Sequence, residues 1–503
     1  MSLRLLSAAA LFFALFAGCA QTETTTTTTD DHAAAVNLLA GPALWADPQN
    51  APHAKWGWPT LSNPAIGPLP STPDGCMART ARNATTPYTT GCLAWWNPIN
   101  GTALPAHVTG MQHLLQVGGN VTQGAGIALF GRIAVVPEDG SQAHFVDISD
   151  PTHPVPLSAI DTGGRGAAII AYPNGRLVTV ISTSPGFDVI DFTDPVHPVQ
   201  LADVSPSEGG HKLGVVPGTP IVYNAGSNGG EASSPINPLG LGPGTCSASI
   251  TNCVGYTSIY NLTDPEHPKL VQEFKNGLSC HHIFFWNNAT QNKFRAICAG
   301  IQYTQLWDTT DPEHPKVIVS IPVHSGVANG PSNSASVEMF SHSAGMNIKG
   351  DVLYVGDESG GGGLPPGCAA SAAVPLDGSS AGTPIGATWF YDVSNEASPQ
   401  VLGYFEPPVQ PTTYAGTDGQ IHSASCTTHH GRMVPDMEGR DLLAMSYYGD
   451  GVILLDFTNV GPGVVPKMIS QYQDHSNTWE TAYDNGYLFT GDLSRGMDVL
   501  KLI

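Results

Sequence analysis

The chain has 503 residues and a formal net charge of −22, with 12% charged residues beside 57 Gly and 42 Pro. An acidic chain without any basic cluster excludes binding to nucleic acid or anionic lipid through a positive surface. The Gly and Pro content favours many turns over long surface helices, and the length fits several domains or one large repeat array.

The chain begins "MSLRLLSAAALFFALFAGC", with one basic residue, an apolar run and then small residues. Residues 1–19 therefore read as an export signal, too short and too early for a membrane-spanning helix. "FAGC" resembles the lipobox of bacterial lipoproteins, which implies acylation of Cys19 and anchoring in the cell envelope. Cleavage after Ala20 and soluble secretion is the alternative. Either route is extracytoplasmic, and contact with membrane is expected only through the lipid. Residues 20–36, with "QTETTTTTTDDH", read as a polar disordered tether, and 37–106, rich in Trp and Pro, as an irregular extension.

Nine Cys less Cys19 leave eight, an even number suited to disulfides in an oxidising compartment. Spacing pairs them as Cys76–Cys92, Cys246–Cys253, Cys280–Cys298 and Cys368–Cys426.

From residue 107 onward one pattern recurs. "DISDPTHPVPL" starts at Asp147, "DFTDPVHPVQL" at Asp191, "NLTDPEHPKLV" at Asn261, "DTTDPEHPKVI" at Asp308, "DVSNEASPQVL" at Asp392 and "DFTNVGPGVVP" at Asp456. Each follows a short apolar run. Around each copy, alternation and turn residues mark four short antiparallel strands, with the Asp-Pro element as the turn between the third and fourth. His267 and His314 fall in that turn and are assigned to it, not to chemistry. Third strands number seven, ending in "MDVLKLI", and the chain stops one strand short of a seventh unit. Residues 111–119 supply that strand. The expected fold is all-β: a seven-bladed propeller over 107–503, closed by an N-terminal strand lying beside 497–503, which removes exposed sheet edges. Insertions at 228–253 and 360–386 are expected to build one loop-rich face.

The "VIDFTDPVHPVQL" pattern resembles the LVIVD repeat of bacterial secreted and lipoprotein β-propellers. "SCHHIFF", "FSHSAGMN", "CTTHHGRMVPDMEGRDLLAMSYYGDGVILLDFT" and "NGYLFTGDLSRGMDVLKL" resemble segments of one branch of that family. The resemblance covers about 107–503 and implies the propeller fold and export. It assigns no biochemical role.

A second register lies beneath the repeat. The first strands of blades three to six each begin with His: His211, His281 and His282, His342, and His429 and His430. First strands line a propeller's channel, so four adjacent blades would aim imidazoles at one mouth. Imidazoles are the common ligands of copper and zinc, and Asp357, Glu358 and Asp492 at the ends of second strands are candidates to orient them. The competing reading makes these His a polar channel lining, hydrogen-bonded between blades. Blades one, two and seven carry Gln123, Arg165 and Thr478 at the equivalent places. Two functions follow. One is a copper-dependent oxidoreductase, by analogy with bacterial thiocyanate dehydrogenase and nitrous oxide reductase, which hold copper with His in a propeller channel; zinc is the other candidate ion. The alternative is a non-catalytic surface binding or adhesion module. The partner is a small molecule or a surface ligand, and a monomer is expected.

Overall fold

In the computed structural model, the described residues are 107–503, excepting 118–120, 122, 132, 139, 173–175, 184–185, 206–210, 226–256, 275–279, 289–292, 301–302, 323–338, 360–385, 408–412, 416–420, 424–426, 435, 437, 474–476 and 485. The export signal, Cys19, the tether, the extension, both long insertions and Cys76, Cys92, Cys246, Cys253, Cys368 and Cys426 lie outside the described residues.

Among the described residues there is no helix, and the strands form seven four-stranded antiparallel sheets plus a two-stranded hairpin, Thr413–Ala415 with Ile421–Ser423. The hairpin sits between blades five and six and was not expected from the repeat. Within each blade the strands run A to D from the channel outward. The A strands are Ala128–Phe130, Ala167–Ala171, Lys212–Val215, His282–Asn288, Met339–Met346, Gly431–Val434 and Thr478–Asp484. Each touches the A strand of the next blade, and Thr478–Asp484 closes on Ala128–Phe130, completing the ring.

Closure occurs where the sequence placed it. Met111–Gln116 is the D strand of blade seven and pairs with the C strand Gly496–Leu502, Met111 opposite Leu502 and Gln116 opposite Asp498. The pairing gives the C-terminal strand a second hydrogen-bonded neighbour, so neither end of the chain leaves an open inner edge.

The hydrophobic core is divided into layers between neighbouring sheets, because side chains alternate across each strand. On the B strand of blade four, Lys293–Gly300, Ile297 and Ala299 pack with Leu353, Val355 and Trp389 of blade five. The intervening Ala296 and Cys298 pack with Ile221, Tyr223 and Ile259 of blade three. Equivalent layers join every other pair of blades, including seven to one through Phe489 and Val499 against Ala134 and Val146.

The repeated letters have a local physical cause. The Asp or Asn that ends each C strand accepts a hydrogen bond from the backbone N–H two residues on: Asp147 from Ser149, Asp191 from Thr193, Asn261 from Thr263, Asp308 from Thr310, Asp392 from Ser394 and Asp456 from Thr458. The second acid opens the next turn in the same way, Asp264 capping Glu266 N–H. His267 and His314 then fold back on Asp264 and Asp311, exposed at the surface. A bulge between the C and D strands follows in every blade, as at Ile259/Tyr260 and Leu306/Trp307. The histidines of the repeat are turn residues.

Two expected outcomes follow. Deleting Met497–Ile503 removes the strand that both Tyr487–Asp492 and Met111–Gln116 pair with, and the truncated chain should show no cooperative thermal transition by circular dichroism. The second concerns Asp450, whose carboxyl is pushed up to about 8 by burial. Its folded pKa lies above the unfolded value of about 3.9, so its contribution to stability is complete below pH ~4 and is lost as pH rises towards 8. Asp450→Asn should therefore gain in melting temperature over the wild type progressively from pH 4 to 8, with no further gain above it. A difference independent of pH would contradict the assignment.

Candidate metal centre

Three of the four His-bearing blades deliver their imidazoles at the mouth of the A strand, as the register implied. His211 N–H donates to Ala225 O at 3.0 Å, immediately ahead of Lys212–Val215. His281 N–H donates to Ala299 O at 2.6 Å, and His282 opens the strand of blade four. The Cys280–Cys298 disulfide, expected from strand register, joins this turn to the neighbouring strand with a Cα–Cα distance of 5.2 Å. In blade six His429 N–H donates to Ser446 O, and both His430 N–H and His429 Nδ1–H point at Trp479 O of blade seven.

Blade five departs from the expectation. Its A strand begins at Met339, so His342 lies inside the strand and not at its start. It occupies a bulge: Ser341 pairs with Asp357 and Ser343 with Gly356, leaving His342 between them. A bulge re-aims the extra side chain, and here it carries the imidazole into the cluster. Ser341 shares a hydrogen bond with Thr304 and Ser343 donates to His429 O, so both hydroxyls serve packing between blades.

All six imidazoles come together. Ring centroids lie 3.9 Å apart for His211–His281, 4.3 Å for His281–His342, 4.0 Å for His342–His429 and 4.8 Å for His342–His430. His282 meets His430 at 4.5 Å, and His429 meets His430 at 4.1 Å. Two sets of three offer ligand atoms within 4.8 Å of one another: His342, His429 and His430, and His281, His342 and Glu358. Burial pushes His281 down to about 3, with Arg165 and Lys212 adding to the effect. Burial likewise holds His282, His342, His429 and His430 well below the ordinary imidazole range, with neighbouring imidazoles contributing. Neutral imidazole is the form that ligates a metal.

The three carboxylates separate. Glu358 Oε2 lies 3.4 Å from His342 Nε2, at the cluster itself. Asp357, next on the strand, falls on the opposite face against Trp389, and burial holds it well above the usual carboxylate range. Asp492 is spent on its own turn, accepting Asn477 N–H, Ser494 N–H and the Thr478 hydroxyl. Gln123 and Arg165 are exposed and Thr478 is buried in that turn.

The sequence reading missed five side chains that shape the site. Tyr448 donates its hydroxyl hydrogen to Glu358 Oε1 and sets its ring edge-on to His429 at 4.9 Å. It sits at φ +45°, the one non-Gly residue with positive φ among the described residues. Such strain persists where surrounding bonds enforce it, and paired bonds between Tyr448 and Thr478 do so here. Trp479 lies against His429 at 4.4 Å. Beneath the imidazoles, Glu480 of blade seven accepts from Lys212 of blade three, from Arg432 of blade six at 3.1 Å and from Ile127 N–H of blade one at 3.1 Å. Lys212 and Glu480 are buried, at 3% and 1% side-chain exposure. This polar plug spans the channel and gives the imidazole cluster a cationic floor. "HKLG", "HHGR" and "TWET" were legible only as adjacent letters; their meeting is long-range.

No protein-family model matches the chain, and no curated protein matches it. Among solved structures, the crystal structure of Saccharomyces cerevisiae Sqt1 is similar, with a TM-score of 0.42 and 11% identity, covering 77% of this chain and 83% of that one. The strand order and ring closure themselves define the seven-bladed propeller described above.

Removing one partner of a buried pair strands the other charge, at about 3–5 kcal/mol. Glu480→Gln, which leaves buried Lys212 without its acid, should cost an amount of that order by urea denaturation, and Glu480→Gln/Lys212→Met should recover part of it, Arg432 alone remaining without Glu480. Additive losses in the double variant would show that the two groups are not coupled.

Proposed function

We propose that this chain is an exported metalloprotein of the LVIVD-repeat type, binding a late transition metal, copper before zinc, in the channel of its propeller. The observation that carries the reading is the convergence of six imidazoles and Glu358 from four consecutive blades, with His281, His282, His342, His429 and His430 held neutral by burial. His342, His429 and His430, or His281, His342 and Glu358, would hold an ion. When bound, copper would supply one-electron redox chemistry, and an oxidoreductase activity outside the cytoplasm is the proposed use.

The chain's own residues have distinct tasks. Trp479 O accepts from His429 Nδ1, which fixes that ring's tautomer and leaves Nε2 as the lone-pair nitrogen. Tyr448 orients Glu358 in the same sense. Lys212 and Arg432 outnumber the Glu480 they share, and Arg165 lies close enough to depress His281, so a small anion is the substrate class the floor favours. The Cys280–Cys298 disulfide supports an oxidising compartment.

Chelator-treated protein should rebind Cu(II) or Zn(II) after desalting, read by elemental analysis, with nitrogen superhyperfine splitting in the Cu(II) EPR spectrum. His342→Gln, which touches both triads, should weaken binding by roughly 100-fold. Protein that retains no metal would return the chain to the binding-module reading.

A further inference from the structure

The imidazole cluster offers more ligands than one ion accepts. A single tetrahedral or tetragonal centre takes about four protein ligands, whereas six imidazoles and one carboxylate meet here. Nor are the seven groups arranged about one point. The ring contacts run from His211 to His281 to His342, and there the cluster branches to His429 and His430, with His282 against His430. The two triads with ligand atoms in mutual reach, His281–His342–Glu358 and His342–His429–His430, have only His342 in common.

Resting on the metal-binding reading, we infer that the channel holds two metal positions that share His342. The first is built by His281 and Glu358 with His211 adjoining; the second by His429 and His430 with His282 adjoining. An imidazole has two ring nitrogens on different edges, so one ring can belong to either ion, or serve both as imidazolate once its N–H proton has passed to solvent. On the first side, His342 Nε2 already faces Glu358 Oε2 at 3.4 Å.

Unmet polar atoms support the second position separately. Both ring nitrogens of His430, and Nδ1 of His282, are buried without a hydrogen-bond partner. His282 and His430 are 3% and 0% exposed. An ion confined to the His281–Glu358 side would leave them so, at a cost of about 1–3 kcal/mol per group. An ion between His430, His429 and His282 removes that cost. Charge adds a condition: two divalent ions beside Lys212 and Arg432 need compensation beyond Glu358 and Glu480, which the anionic substrate proposed above would supply.

The test is stoichiometry on the full chain, stripped with chelator and titrated with Cu(II). The expected result is two equivalents retained after desalting, with a double-integrated EPR signal below the copper content because neighbouring Cu(II) ions couple. Glu358→Gln and His430→Gln should each fall to one equivalent, since each touches one triad; thermal melts of the stripped variants would establish that they fold. Saturation of the wild type at one equivalent, or at three, overturns the two-position inference and leaves metal binding standing. Retention of none overturns both readings.

Discussion

Everything in this molecule depends on the pairing of Met111–Gln116 with Gly496–Leu502. A propeller blade buries both faces against its neighbours, so a ring missing one strand leaves a polar backbone edge and an apolar face open together. The pairing also holds the A strand of blade seven, which carries Trp479 and Glu480. Trp479 O receives His429 and His430 from blade six, and Glu480 receives Lys212 from across the channel. The site is therefore a consequence of closure, assembled from chain segments that meet only when the ring is complete.

The narrow channel then dictates side-chain size along the A strands. A Cβ on Gly166 would stand 2.8 Å from Lys212 Cδ, and one on Gly126 would stand 2.4 Å from Arg165 O. Neither position tolerates a side chain without displacing the cationic floor or separating blades one and two. Glycine at 126 also lets Glu480 reach Ile127 N–H.

What was legible in the sequence was whatever local chemistry or strict register determines. The Asx turns that end the C strands are fixed by residues two apart, so the repeat could be read letter by letter and the blades counted. The histidines of blades three, four and six followed from strand starts, and Cys280–Cys298 from two strands that must be neighbours. His342 was gathered correctly by letter but misplaced by geometry, because the bulge between Ser341 and Ser343 leaves no mark in a pattern of alternation. Asp357 and Glu358 could not be told apart for want of one residue of register, and the fold puts them on opposite faces. Lys212, Glu480, Trp479 and Tyr448 were invisible as a group because their partners lie across the ring.

The same geometry bears on the choice between a cluster that could hold a metal ion and a lining that satisfies itself. Imidazoles joined by an in-line N–H···N bond of about 3 Å place their centroids roughly 5 Å apart or more. His282 and His430 lie at 4.5 Å with planes tilted by 41°, a contact of ring surfaces that leaves His430 with two unbonded nitrogens. Protonation offers no remedy, since burial and the neighbouring cations Lys212 and Arg432 hold His282 neutral. His429 shows how a self-satisfied ring looks, with Nδ1 on a carbonyl; even there Nε2 is left for another partner. Packing neutral imidazoles face against face costs hydrogen bonds that a chain gains nothing by losing, unless a Lewis acid takes up the lone pairs. A lining of Ser, Thr or Asn would close the channel at lower cost, as Ser446 and Thr481 do between blades six and seven.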